Sequence, residues 1–142
     1  MQIADVLRNK GSAVATITPD ATVRDLLAGL AEHNIGAMVV ADPDAVHGIA
    51  SERDVVRKLQ QRGAALLDRP VAEIMTALVA TCTPSDQVDD LSALMTEKRV
   101  RHVPVLEGGR LTGIVSIGDV VKTRMEELHN EREQLHAYIT GG

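Results

Sequence analysis

Apolar residues along this chain are spaced in two ways, and the order of the two spacings occurs twice. Val23, Leu26, Leu27 and Leu30 recur every three to four residues, which places them on one face of a helix, and Val88, Leu91, Leu94 and Met95 do the same further on. A short β-rich run leads into each helix, at residues 14–17 and 79–82, through a Thr-Pro turn. Thr22 or Asp20 would cap the first helix, and Ser85 or Asp86 the second. Two apolar strands follow each helix, 37–41 with 46–50 and 102–106 with 111–115. Their linkers, Asp42-Pro43-Asp44 and Gly108-Gly109, carry hairpin chemistry, since paired glycines accept the positive φ of a type I′ turn. A further helix begins at Ser51 and again at Ser116. Pro104 belongs at a strand edge or bulge, because it brings no N–H to a ladder.

The recurrence is literal. Residues 14–56 align on residues 79–121 at a constant offset of 65 without a gap, and 17 of the 43 pairs are identical. A long period occurring twice is not a solenoid, which needs three or more stacked units. It predicts two equivalent β-α-β-β-α units, an α/β (α+β) fold, packed about a pseudo-twofold axis with related sites in the cleft between them. Short lead-in helices are expected at residues 3–7 and 71–75. The organisation expected is a first repeat with its lead-in helix over 1–62, a connector over 63–70, a second repeat over 71–124 and a helical extension over 125–142. The last helix, expected over residues 118–138, carries Val121, Met125, Leu128, Leu135 and Ile139 in steps of 4, 3, 7 and 4, with Arg132 in the missing place. Such a seam packs either on its own domain or on a second copy in a dimer.

Composition narrows the function classes. A chain of 142 residues with 44% hydrophobic and 25% charged residues is an ordinary globular domain with room for a core. A net charge of -5 argues against a general polyanion binder while leaving room for a local basic patch. One Tyr and no Trp or Phe supply no stacking platform for single-stranded nucleic acid, so no nucleic-acid partner is expected. The single Cys82 forms no intrachain disulfide and reads as a buried, inert thiol in a reducing compartment. No apolar run approaches a membrane span and no signal-peptide pattern opens the chain, so the expectation is a cytoplasmic protein without a membrane partner.

The chemistry concentrates in Gly48-Ile49-Ala50-Ser51-Glu52-Arg53-Asp54 and Gly113-Ile114-Val115-Ser116-Ile117-Gly118-Asp119. Each stands at a strand-to-helix junction, where free N–H groups and the positive end of the helix dipole favour phosphate. The serine can cap the helix or turn to a ligand oxygen, and the aspartate can accept from two ribose hydroxyls. The competing structural reading is a plain capping box. Two copies at matching places in a repeat favour the ligand reading.

On these residues the chain resembles the cystathionine-β-synthase (CBS) domain pair, or Bateman module, over roughly residues 3–124. The resemblance also rests on Thr16–Pro19 and Thr81–Pro84, on Glu73-Ile74-Met75-Thr76, and on Arg101-His102-Val103-Pro104-Val105. It implies an adenosine ligand (AMP, ADP, ATP, NAD(H) or S-adenosylmethionine) between the units. By that resemblance Asp54 and Asp119 hold ribose, and Ser51 and Ser116 sit near ribose or phosphate. Backbone at Thr16, Ile17, Thr81 and Cys82 then lines adenine, with Pro104 counted among the ligand-binding residues. The resemblance also implies a homodimer, which suits the seam, and a separate regulated protein.

The halves differ in charge. Arg101 and His102 match Gly36 and Ala37 in the first unit, while Arg53 has its counterpart in Gly118. An anionic nucleotide is therefore expected at one site that draws Arg53 from one half and Arg101 and His102 from the other, with Arg99 as a further candidate. The structural alternative is solvated surface charge. His129 and His136 read as a solvated or dimer-flanking face, and no metal cluster, P-loop, dinucleotide fingerprint or catalytic triad is found. The expectation is a non-catalytic adenosine-nucleotide sensor without a catalytic cofactor or metal. The alternative is a ligand-independent interaction module that regulates a separate enzyme or transporter.

Overall fold

The computed structural model describes residues 1–11, 13–78 and 80–141. Helix α1 (Ile3–Lys10) is followed by β1 (Thr16–Ile17), α2 (Val23–His33), β2 (Ala37–Ala41), β3 (Val46–Ser51) and α3 (Glu52–Arg62). Two 3-10 segments, Gly63–Asp68 and Val71–Glu73, lead to β4 (Thr76–Ala77). The second unit then runs α4 (Val88–Lys98), β5 (His102–Glu107), β6 (Arg110–Ser116) and α5 (Ile117–Ile139). The expected helices α2 to α5 and the two hairpins are present, with their ends displaced by a few residues.

Four strands order as β1-β2-β3-β4, with β1 parallel to β2 and the other pairs antiparallel; β5 and β6 form a separate antiparallel hairpin. In the first unit Ile17 pairs with Val40; Cys82 bridges Val105 in the second, 65 residues on in both partners. Around Cys82, only that bridge stands where a run over 79–82 was expected, and Val79 lies outside the described residues. Pro104 carries no cost in β5, because its carbonyl accepts from Cys82 N at 3.1 Å. Its missing N–H therefore lies on the same sparsely paired side, away from β6. Gly108 and Gly109 take φ 59° and 80°, as the type I′ turn requires.

Thr22 caps α2 with a full capping box. Its equivalent in the second unit is Gln87, which makes no side-chain cap bond, so neither Ser85 nor Asp86 is the cap. Asp86 instead accepts from Thr83 N at 2.8 Å, tying the Thr-Pro turn rather than the helix. The lead-in expected as a helix over 71–75 is a single 3-10 turn, while α1 extends to Lys10.

Each unit has its own aliphatic core, and the two lead-ins are exchanged between them. Ile3, Val6 and Leu7 of α1 pack with Val88, Leu91, Met95, Val103, Val105 and Val115 of the second unit. Leu66, Val71 and Ile74 pack with Val23, Leu26, Leu30, Met38 and Val40 of the first. Backbone bonds repeat the exchange in pairs. Ile3 N donates to Asp86 O and Val71 N to Ala21 O; Val88 N donates to Met1 O and Val23 N to Arg69 O. The motif glycines are fixed by these contacts. A Cβ on Gly48 would stand 2.3 Å from Thr76 O, and one on Gly113 would stand 2.7 Å from the Leu7 side chain.

The seam on α5 does not pack on its own unit. Val120 and Thr123 are buried, but Val121, Met125, Leu128, Leu135 and Ile139 are 51% to 71% exposed. From Leu128 to Gly141 every residue faces solvent.

Candidate functional site

A cleft of about 650 Å³ opens between the units. Its apolar lining is Ile49 of β3, Val56 of α3, Ala77 of β4, Leu78, Ala80 and Val100, with the Thr76 hydroxyl among them. Its charged lining comes from two places. Arg53 and Arg57, one helical turn apart on α3, share a face. Arg99 and Arg101 come from the turn between α4 and β5, and His102 from the first position of β5. Glu52 and Asp54 are the carboxylates beside them. A net-negative chain thus gathers four guanidinium groups at one concave surface.

Backbone geometry explains the second group. Arg99 closes α4 in the left-handed region at φ 55°, as Asn34 closes α2 at φ 52°. Asn tolerates that region well, and Arg does not. Two residues later the Arg101 carbonyl accepts from Ile117 N at 2.8 Å, as the Gly36 carbonyl does from Glu52 N at 3.0 Å. Residues 36 and 101 therefore sit at the start of α3 and α5.

At both junctions the capping box is formed. Ser51 Oγ accepts from Asp54 N at 3.2 Å and Asp54 Oδ2 from Ser51 N at 2.9 Å; the corresponding Ser116 and Asp119 distances are 3.1 and 2.8 Å. Expected free N–H groups are mostly used, Glu52 N by Gly36 O and Asp54 N by the serine. Phosphate at this cleft would meet guanidinium groups more than backbone donors. Among the described residues Asp54 Oδ1 meets only the Thr76 hydroxyl at 3.4 Å, a long contact that leaves it open to the cleft.

Of the sequence-predicted residues, Ser51, Arg53, Asp54, Arg101 and His102 line this one cleft, and Arg99 joins them. Thr16, Ile17, Thr81, Cys82, Pro104, Ser116 and Asp119 do not. The reason is sheet pairing. Thr16 and Ile17 are paired to β2, and Cys82 spends its N–H on Pro104 O and its carbonyl on Leu106 N. Burial pushes the Cys82 thiol up to about 12, with the nearby Asp86 carboxylate adding to the effect, so it is inert at neutral pH. Ser116 and Asp119 belong to the related junction of the second unit, where the Lys10 ammonium reaches Asp119 Oδ2 at 2.6 Å. Sequence reasoning missed Arg57 and Thr76. Arg57 was signalled by its four-residue spacing from Arg53, and Thr76 only by its place in the Glu73-Ile74-Met75-Thr76 segment that carries the resemblance.

His102 is half-buried, and burial holds its imidazole below the ordinary range. The Lys10 ammonium and Arg101 push the same way, and Asp119 opposes them. The ring is therefore neutral at pH 7, a latent cation beside four permanent ones.

The CBS-domain family profile matches residues 3–61 and 71–126. The chain belongs to the CBS-domain family. Over 149 aligned residues this CBS pair is 39% identical to the mitochondrial CBS domain-containing protein CBSX3 of Arabidopsis thaliana, across 99% of this chain and 72% of the relative. The crystal structure of a CBS-domain containing protein from Agrobacterium tumefaciens superposes with a TM-score of 0.82 at 46% identity, covering 87% of this chain and 99% of the other. A CBS domain protein from Pyrobaculum aerophilum, solved in complex with AMP, matches with a TM-score of 0.74 at 28% identity, over 84% of this chain and 89% of that one. No helix among the described residues is long and apolar enough to cross a membrane.

Proposed function

We propose that this CBS pair is a non-catalytic regulatory module that binds an adenosine ligand, AMP-like or NAD(H), in the cleft between its repeats. The observation that carries the reading is the convergence of Arg53 and Arg57 with Arg99, Arg101 and His102 around the open edge of Asp54. Asp54 takes the ribose hydroxyls, the apolar lining takes the base, and the guanidinium groups take phosphate. Charge of that sign favours AMP, ADP, ATP or a dinucleotide over the cationic sulfonium of S-adenosylmethionine. The AMP complex of the Pyrobaculum relative supports the ligand class. A ligand bridging both units shifts any equilibrium between their arrangements by its differential affinity, which is how occupancy would reach a separate regulated protein.

The exposed α5 seam is the homodimer contact in this reading, since a second copy would cover Leu128, Leu135 and Ile139 together. For domain boundaries we keep residues 1–62 and 71–124 as the two repeats, 63–70 as connector and 125–142 as extension, with the lead-ins exchanged in space. The single buried thiol suits the reducing cytoplasm.

The test is thermal unfolding of ligand-stripped protein with AMP, ADP, ATP, NAD⁺, NADH and S-adenosylmethionine. Ligand at about 100 times its dissociation constant adds ~2.7 kcal/mol, or roughly 5–10 °C for a chain of this size. Asp54→Ala should abolish the shift. If no ligand produces one, Ser51 and Asp54 are helix caps alone and the interaction-module reading takes over. With one Tyr and no Trp, any copurified adenine nucleotide also dominates absorbance near ~260 nm.

A further inference from the structure

The repeat gives the two junctions the same capping box but not the same surroundings. Ser51 with Asp54 and Ser116 with Asp119 form the same capping box to within 0.1 Å. The difference comes from the exchanged lead-ins. In the first unit β4 lies along β3, Thr76 opposite Ile49, and presents a neutral hydroxyl to Asp54 at 3.4 Å. In the second unit α1 takes the corresponding place against β6. Leu7 covers Gly113, and one turn later Lys10 extends its ammonium to Ile114 O at 2.9 Å and Asp119 Oδ2 at 2.6 Å. The Asp119 side chain is partly buried, at 20% exposure, and that of Lys10 stands nearer solvent, at 33%.

We propose that Lys10 closes the second site from within, so that one CBS pair takes up a single adenosine ligand, at the Asp54 cleft. This rests on the reading of Asp54 and Asp119 as ribose acceptors. A ribose diol held by both carboxylate oxygens of Asp119 must displace the Lys10 ammonium from Oδ2, exchanging an ion pair for a hydroxyl donor that carries no charge. It must also leave the Lys10 ammonium with the Ile114 carbonyl and no counter-charge. Nothing repays that loss through phosphate from the first turn of α5, because Ile117 and Gly118 stand where α3 carries Glu52 and Arg53. Lys10 thus adds a blocking contact to the charge difference that already sets the two sites apart.

Titration calorimetry with AMP tests this on ligand-stripped wild type, Lys10→Ala, Lys10→Arg, and Lys10→Ala combined with Asp54→Ala or with Asp119→Ala. Because α1 docks through Ile3, Val6 and Leu7, these substitutions leave its packing intact, and circular dichroism checks it. Wild type and Lys10→Arg should bind about one AMP per chain, and Lys10→Ala about two, the second at least ~10-fold tighter than any weak second binding in wild type. That second site should survive Asp54→Ala and vanish with Asp119→Ala. Two sites in wild type, or one site in Lys10→Ala, overturns the latch while leaving the cleft reading intact. Loss of AMP in Lys10→Ala overturns it by making Lys10 a ligand contact. An absence of binding to every protein, wild type included, removes the ribose reading and the latch with it.

Discussion

Arg99 sits at φ 55°, where the first unit places Asn34 at φ 52°, and that difference predicts a trade between stability and binding. A left-handed backbone costs an L-residue roughly 1–2 kcal/mol, and Asn recovers much of this through its short polar side chain. Arg99→Asn copies the solution already used 65 residues earlier. It should raise stability by about 0.5–1 kcal/mol, since Arg99 is exposed and its replacement leaves no cavity. For a chain of this size the unfolding entropy is about 0.3 kcal/mol/K, so Tm should rise ~2–3 °C in a calorimetric scan without ligand. The same substitution removes one of four guanidinium groups lining the cleft. A charged hydrogen bond to phosphate contributes about 1.5–3 kcal/mol, so AMP affinity should fall roughly 10-fold or more in titration calorimetry. Backbone strain retained for a site is the reasoning under test. An unchanged or lower Tm would refute the strain, and an unchanged AMP affinity would refute its purpose.

Three further outcomes are expected. His102 has a folded-state pKa below its unfolded value, so the ligand-free protein should lose stability as pH falls below about 6.5. Bound phosphate favours the imidazolium, so that loss should be smaller with AMP, and His102→Gln should abolish the difference between the two pH profiles. Leu128→Glu on the 60%-exposed seam should convert a dimer to monomer in light scattering with little change in unfolding of the monomer; an unchanged mass would refute the seam. Gly48→Ala drives a Cβ to 2.3 Å from Thr76 O and should cost more than ~2 kcal/mol in denaturant unfolding, because the obstacle is backbone; a neutral result would contradict the close packing of β3 on β4.

The hairpins, the helix starts at Ser51 and Ser116, and the Thr22 cap were all legible in the chain because each is decided within a few residues. Ser85 and Asp86 carried a cap signal as good as that of Thr22, yet Asp86 was taken by the Thr83 turn, a competition between two local bonds that composition does not rank. The cleft was half legible. Charge asymmetry at Arg53, Arg101 and His102 placed them in one site, but the Ser-Asp spacing did not tell a used N–H from a free one.

Sequence by itself determined the twofold period, the order of elements in each unit and the faces they bury, because periodicity and caps are short-range properties. Tertiary structure decided which core each lead-in completes. Ile3, Val6 and Leu7 satisfy an apolar groove of either unit by pattern alone, and only docking against Asp86 and Gly113 sends them to the second. That choice placed Thr76 beside Asp54 and Lys10 beside Asp119, and so made two nearly identical motifs chemically different.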